Sequence, residues 1–262
     1  MINNLQGKTA LVTGASSGLG MDFARELARR GCQLVLVARR EDRLRELLRE
    51  ISSTYDVPVE IIAMDLVEAD APRRLYDHLQ ASDRAVDVLI NNAGYGLFGD
   101  FAEIPWERTQ NMLDLDIRVL THLMRLFMAD MVSRNFGFIL NIASVGAFQP
   151  SPTYAAYSAA KSYVLYLTEA VHYELRHTKV KCTVLSPGVT RTEFLAVAGQ
   201  KPTLYQRSIM MESADVARIG IKAMLKGRSS VVAGGLNAFM AWTMRFLPPQ
   251  LQAALANLAM RA

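Results

Sequence analysis

The stretch Thr13-Gly14-Ala15-Ser16-Ser17-Gly18-Leu19-Gly20 constrains the fold of this chain more than any other. A short apolar run, 8–12, leads into it; a helical pattern over 21–30 and a second apolar run, 33–38, follow. Glycines permit a tight turn between strand and helix and let an anion such as a pyrophosphate approach the N–H groups of the helix N-terminus. A strand, a glycine turn, a helix and a strand in that order predict two parallel strands joined by a crossover helix. The pattern continues along the chain. Strands are expected near residues 8–13, 33–38, 58–63, 86–91, 136–142, 180–186 and 229–233, with helices between them. Such alternation predicts an α/β fold in which a doubly wound sheet of about seven parallel strands carries helices on both faces. The 262 residues are 51% hydrophobic and no linker, repeat or charge block divides them, so residues 1–262 read as a single domain.

The chemistry is written in Tyr157-Ser158-Ala159-Ala160-Lys161, with Ser144 one connection upstream at the end of the strand-like run 138–143. On a helix, positions i and i+4 share one face, so the Lys161 ammonium stands beside the Tyr157 phenol. A neighbouring cation favours phenolate, which predicts a phenol pKa lowered from about 10 and suits Tyr157 to general acid catalysis. The Ser144 hydroxyl is placed to hold a substrate oxygen. A tyrosine and a lysine four apart arise often on ordinary helices, so the weight lies in the combination.

Residues 13–20, Asn91-Asn92-Ala93-Gly94, Ser144, Tyr157-x-x-x-Lys161 and Pro187-Gly188 together resemble the short-chain dehydrogenase/reductase family, in its motif order and at its usual separations over nearly the whole chain. The resemblance implies a Rossmann-like domain and hydride transfer between a nicotinamide cofactor and a carbonyl or alcohol. It implies that Ser144 orients the substrate oxygen, Tyr157 exchanges the proton, and Lys161 lowers the tyrosine pKa and bonds the nicotinamide ribose. Gly14, Ser16, Ser17, Gly18, Leu19, Gly20, Asp65, Leu66, Asn92, Ala93, Gly94, Pro187, Gly188, Val189, Thr190 and Thr192 fall where the family contacts its cofactor. One position departs from the pattern. Asp116 stands where many members carry an asparagine that helps hold a water linked to the catalytic lysine. Its charge favours Lys161 as ammonium and disfavours tyrosinate, so the phenol is expected to titrate higher than in relatives unless Asp116 is protonated or turned away.

Cofactor choice is read after the second strand. An enzyme using NAD usually places an acid there to bond the ribose 2′-hydroxyl, whereas here Leu36-Val37-Ala38 passes to Arg39 and Arg40. Guanidinium groups suit the 2′-phosphate of NADP, so NADP(H) is preferred to NAD(H). Glu41 and Asp42 follow, but they belong to the start of the next helix, where acids suit the dipole. Asp65 resembles the family's contact to the adenine amine and reads equally as a helix N-cap. The net charge of +4 does not indicate nucleic acid, because the arginines of 25–49 interleave with acids at helical pair spacings.

Cys32 and Cys182 fall at or inside buried strands and read as small core residues, which fits a cytoplasmic protein. No basic segment with an apolar stretch precedes the first strand, so no signal peptide is expected. No run approaches the ~20 apolar residues of a transmembrane span. His78, His122, His172 and His177 do not cluster, and no metal is expected.

Residues 189–211 lie where the family has a flexible lid and include Phe194, Leu195, Leu204, Tyr205, Ile209, Met210 and Met211. They point to an apolar substrate or simply pack the lid on the domain. The apolar C-terminal extension, about 234–262, carries only Arg245 and Arg261 as charges; subunit contact, a frame for the substrate pocket or peripheral membrane contact would each cover it. The resemblance implies a homodimer or homotetramer through the long helices 106–133 and 154–176. That arrangement places Leu120, Leu123, Leu126 or Val164, Leu167, Val171 at the contact unless these stripes face their own sheet. The reading is an NADP-dependent carbonyl reductase or alcohol dehydrogenase acting on a small molecule. Its substrate classes, in order, are 3-oxoacyl thioesters, ketosteroid-like molecules and other large apolar ketones. A non-catalytic NADP-binding regulator is the alternative, to which only Asp116 lends weight.

Overall fold

The computed structural model of the protein describes residues 5–82 and 84–261; Ala262 and the side chain of Arg261 lie outside the described residues. Six strands, β1 (Thr9–Thr13), β2 (Gln33–Ala38), β3 (Val59–Ala63), β4 (Val88–Asn91), β5 (Gly137–Ile142) and β6 (Val180–Ser186), form one sheet with a seventh, β9 (Ser230–Val232). Every pairing is parallel, in the order β3-β2-β1-β4-β5-β6-β9. Two short strands, β7 (Thr190–Arg191) and β8 (Met211–Glu212), pair separately and tie the two ends of the predicted lid together.

Burial on both faces explains why the strands read as continuous apolar runs rather than alternating ones. Ala10 and Val12 of β1, with Leu34 and Leu36 of β2, face α1 (Gly18–Ala28), α2 (Glu41–Thr54) and α9 (Ser213–Leu225) through Phe23, Leu47 and Ile221. Leu11, Val35 and Val37 point the other way, toward α3 (Ala71–Ala81), α5 (Leu120–Ser133) and α6 (Ala155–Glu174) through Leu75, Phe127 and Val171. In α2, Leu44, Leu47 and Ile51 recur at helical spacing and are the buried residues, each burial stabilising by about 1.5–3 kcal/mol. The sheet runs outward from β1 to β3 and then returns to β4 on the other side of β1. That reversal opens a crevice beyond the carboxyl ends of β1 and β4, where ligands of doubly wound folds bind.

Three expectations change. The helix expected over 106–133 is α4 (Trp106–Leu113) and α5 joined by a π-helical turn, Asp114–Val119, which holds Asp116. The lid contains its own elements, α7 (Phe194–Ala198) and α8 (Leu204–Ser208). Leu120, Leu123, Leu126, Val164 and Val171 are buried in their own domain, so they are not free for a partner; Tyr163, Tyr166 and Tyr173 are the large side chains that α6 turns outward. The C-terminal extension forms α10 (Gly235–Met244) and α11 (Pro249–Arg261), and no helix among the described residues is long and apolar enough to cross a membrane. Cys32 and Cys182 are buried free thiols, each pushed by burial to a pKa of about 12.

Candidate active site

The crevice is built on the glycine turn. Gly14 and Gly18 have φ of +66° and +50°, which favours glycine, and a Cβ on Gly20 would sit 2.1 Å from the Gly14 carbonyl oxygen. Thr13 fastens the turn to the end of β4: its Oγ1 donates to the Ile90 carbonyl and accepts from the N–H groups of Asn92 and Ala93. Asn92 Nδ2 donates in return to the Thr13 carbonyl at 2.9 Å. Ser17 is the N-cap of α1 but makes no side-chain cap bond, so the first N–H groups of the helix are left to whatever enters the crevice.

A cleft of about 400 Å³ follows, lined by Gly14, Ser16, Ser17, Gly18, Leu19, Arg39, Arg40, Asp65, Leu66, Asn92, Ala93, Gly94 and Thr192. Gly20 does not line it and lies beneath the turn. Arg39 faces Asp65 at 3.7 Å, and Arg40 pairs with Glu193 at 3.0 Å while donating to the Ser16 carbonyl. The two guanidinium groups therefore stand together in the wall of the cleft. Asp65 caps no helix: its Oδ1 accepts the Val67 N–H in a local turn, and α3 is preceded by Asp70 instead.

Leu19, Asn92, Gly94 and Phe194 line both this cleft and a second, mostly apolar cavity of about 160 Å³, which also takes in Ser144, Tyr157, Lys161, Pro187, Gly188, Val189 and Thr190. Ser144 caps the 3₁₀ turn Val145–Phe148 by accepting the Gly146 N–H, and it lines the cavity with Tyr157, whose phenol pKa it acts to lower. Lys161 is buried; its Nζ donates to the Ile142 carbonyl at 3.2 Å and stands 5.6 Å from the centre of the Tyr157 ring. It also lies 3.0 Å from Asp116 Oδ2, as an ion pair without a well-directed hydrogen bond. Asp116 Oδ1 accepts the Tyr95 N–H at 3.2 Å.

The wide π turn carries the Asp116 carboxyl, fully buried, to the lysine. Burial pushes this carboxyl above the usual range, against the pull of Lys161. The Tyr157 phenol is likewise pushed up, first by burial and then by the Asp116 charge, with only Ser144 opposing. The lowering expected from the tyrosine–lysine spacing is not the direction found, because burial, and after it the Asp116 charge, disfavour the phenolate.

Residues that sequence reading missed close the cavity from the far side. Tyr154 Oη donates to Gln200 Oε1 at 2.8 Å, and Gln200 Nε2 donates to the Met260 carbonyl at 2.9 Å. Tyr154, Gln200, Gln206 and Met260 are all in the wall. Tyr154 had a signal, since it lies three residues before Tyr157 and their rings meet at 5.7 Å. So did Gln206, which completes a capping box with Thr203. Gln200 and Met260 had none.

The arrangement fits an elongated dinucleotide: a cradle in which side chains at Gly14, Gly18 and Gly94 would collide with Ala93, Thr192 and Asp116, an open helix N-terminus, and cations at one end. A family model for short chain dehydrogenase matches residues 8–203. The chain is 31% identical over 224 residues to an uncharacterized oxidoreductase of Myxococcus xanthus, covering 86% of each. It is 29% identical over 253 residues to the very-long-chain 3-oxoacyl-CoA reductase of Anas platyrhynchos, covering 92% of this chain and 76% of that one. A short-chain dehydrogenase from Sphingobium yanoikuyae, solved in complex with NADPH, matches with a TM-score of 0.82 at 29% identity, covering 92% of this chain and 96% of that one.

Proposed function

Because the chain belongs to the short-chain dehydrogenase/reductase family and is thus a nicotinamide-dependent oxidoreductase, we propose that it interconverts an apolar ketone and its alcohol with NADP(H). The observation that carries this reading is the meeting of Ser144, Tyr157 and Lys161 in the wall of an apolar cavity that opens into the cleft over the glycine turn. The dinucleotide, when bound, supplies or accepts the hydride. Ser144 Oγ donates a hydrogen bond to the substrate oxygen, and the Tyr157 phenol hands over its proton as that oxygen becomes an alcohol. The raised phenol pKa keeps that proton in place at neutral pH, which suits reduction. Lys161, braced by Asp116 and the Ile142 carbonyl, stands beside the reacting groups, where its ammonium would bond the ribose of a bound cofactor.

Arg39 and Arg40, with no acid at the end of β2, support the 2′-phosphate of NADP as the preferred ligand. Phe194, Leu195, Val145 and Met260 support an apolar substrate, and the name of the Anas platyrhynchos relative supports a 3-oxoacyl thioester as the first class to try. The protein acts as a homo-oligomer in the cytoplasm; the outward tyrosines of α6 and the two buried free thiols support these two readings respectively. The test is a titration of purified protein with NADPH and NADH, followed by 3-oxoacyl, steroid and aryl ketones. NADPH consumption with an apolar ketone, and loss of the NADPH preference in Arg40→Ala, are expected. Tight binding with no turnover across the panel overturns the enzymatic reading, and equal binding of the two cofactors overturns the NADP assignment.

A further inference from the structure

The outer side of the C-terminal helices carries a surface that the active site does not use. Leu236, Phe239 and Trp242 fall on one face of α10, Phe246 follows in the turn after it, and the four are 59%, 61%, 53% and 67% exposed. Trp242 joins the two phenylalanines in a row, with ring centres 6.3 Å from Phe239 and 4.9 Å from Phe246. The opposite face of α10 is fixed inside: Asn237 and Ala241 are buried, and Asn237 Nδ2 donates to the Ala233 carbonyl. Helix α11, tied to the end of α10 by Gln252, adds exposed Leu255 and Leu258. The aromatic row is therefore presented outward by a helix that is held rigidly on its other side.

Charge decides what covers it. Residues 234–262 contain no aspartate or glutamate. Arg245 on this segment, and Lys201 and Arg207 on the lid stretch that Gln200 and Tyr205 hold against Met260 and Met240, are exposed with no acidic partner among the described residues, whereas Glu212 and Asp215 are already paired with Arg191 and Arg218. A second copy meeting this face about a two-fold axis would bring the same patch against it, with cations and no acid from residues 234–262 to pair them. An anionic bilayer supplies the missing charge to the cations and an apolar layer to the aromatic row, and tryptophan favours that boundary. We propose that the outer face of α10 and α11 docks peripherally on anionic lipid membranes. The inner side of the same segment frames the substrate cavity through Met260, so docking brings the cavity to the place where apolar ketones collect. The docking itself does not depend on which substrate or cofactor the site takes.

The test is sedimentation of the full-length protein with vesicles of phosphatidylcholine containing phosphatidylglycerol and with vesicles of phosphatidylcholine alone, with Trp242 emission read in a Trp106→Phe background. Binding to the anionic vesicles only, a blue-shifted Trp242 and loss of binding as salt rises are expected. The Phe239→Ser/Phe246→Ser variant should bind about tenfold or more weakly. The Arg207→Ala/Arg245→Ala variant, which leaves the apolar row intact, should bind roughly thirtyfold more weakly at low salt. Retained circular dichroism and NADPH binding show that both variants are folded. No binding to anionic vesicles, equal binding to both kinds, or no effect of either variant overturns the proposal. So does a change in oligomer size on Phe239→Ser/Phe246→Ser, since a second copy then covers the face.

Discussion

Replacing Asp116 with asparagine removes one negative charge from the surroundings of the Tyr157 phenol while leaving an oxygen to accept the Tyr95 N–H. The sign follows from the direction of the present effect. A carboxylate nearby disfavours phenolate, so Asp116 holds the phenol pKa up and its loss lets that pKa fall. The magnitude follows from two separations. Asp116 Oδ2 is 3.0 Å from Lys161 Nζ, which is 5.6 Å from the Tyr157 ring centre, so the carboxylate lies no farther than about 8.6 Å from that centre, the sum of the two. At that separation and an effective dielectric of about 20, one charge acts on another with about 2 kcal/mol, or between one and two pKa units. Alcohol oxidation needs the phenol deprotonated, so its rate climbs with pH toward the phenol pKa. Ketone reduction needs it protonated and declines through the same value. Both limbs should therefore move to lower pH by about one unit in Asp116→Asn. The assay is kcat/KM against pH in both directions, on variant and parent. A purely structural role for Asp116 would lower the rates without moving the limbs. Profiles that overlay would show that Asp116 already carries a proton beside Lys161 and would refute the reasoning, as would a shift to higher pH.

Tyr157→Phe should lower turnover by roughly 10²-fold or more with cofactor affinity little changed, measured by steady-state kinetics and by NADPH fluorescence titration; near-parental turnover would remove Tyr157 from proton transfer. Gly20→Ala puts a methyl group against the Gly14 carbonyl oxygen, which is backbone and must shift; it should cost about 1–3 kcal/mol in thermal unfolding and weaken NADPH binding together, and an unchanged melting temperature would contradict the packing described. Cys32 and Cys182 should resist a thiol reagent at neutral pH in the native protein and react fully in denaturant, because each is buried with its pKa pushed up to about 12; rapid native labelling would contradict their placement.

What was legible in the sequence is what local chemistry dictates. The glycine turn could be read because Gly14 and Gly18 adopt backbone angles that other residues resist, and the strands because β-branched runs bounded by turns leave little choice of structure. Tyr157 and Lys161 were legible because four residues on a helix fix their relation without help from the rest of the fold. The face of α6 that turns outward was not. Tyr163, Tyr166 and Tyr173 are interspersed with Val164 and Val171 along one helix, and tyrosine, with an apolar ring and a polar hydroxyl, suits either face until the position of the sheet is known. The Gln200 bond to the Met260 carbonyl joins residues sixty positions apart, and no periodicity records such a meeting.

Asp116 shows where local and tertiary information part. Its identity as an acid was visible, and so was the direction in which a charge there moves a phenol. The size of the effect depends on two facts that side-chain periodicity does not carry: a π-helical turn that swings residue 116 inward, and burial that removes water from the pair it makes with Lys161. Because water is removed, the same ion pair that disfavours phenolate also fixes the lysine. Breaking it by losing the carboxylate should cost about 3–5 kcal/mol of stability, since an ammonium is left buried without a counter-charge. A chain that keeps an acid here therefore couples the proton affinity of its tyrosine to the stability of its core, and the pH profile and the melting temperature of Asp116→Asn should move together.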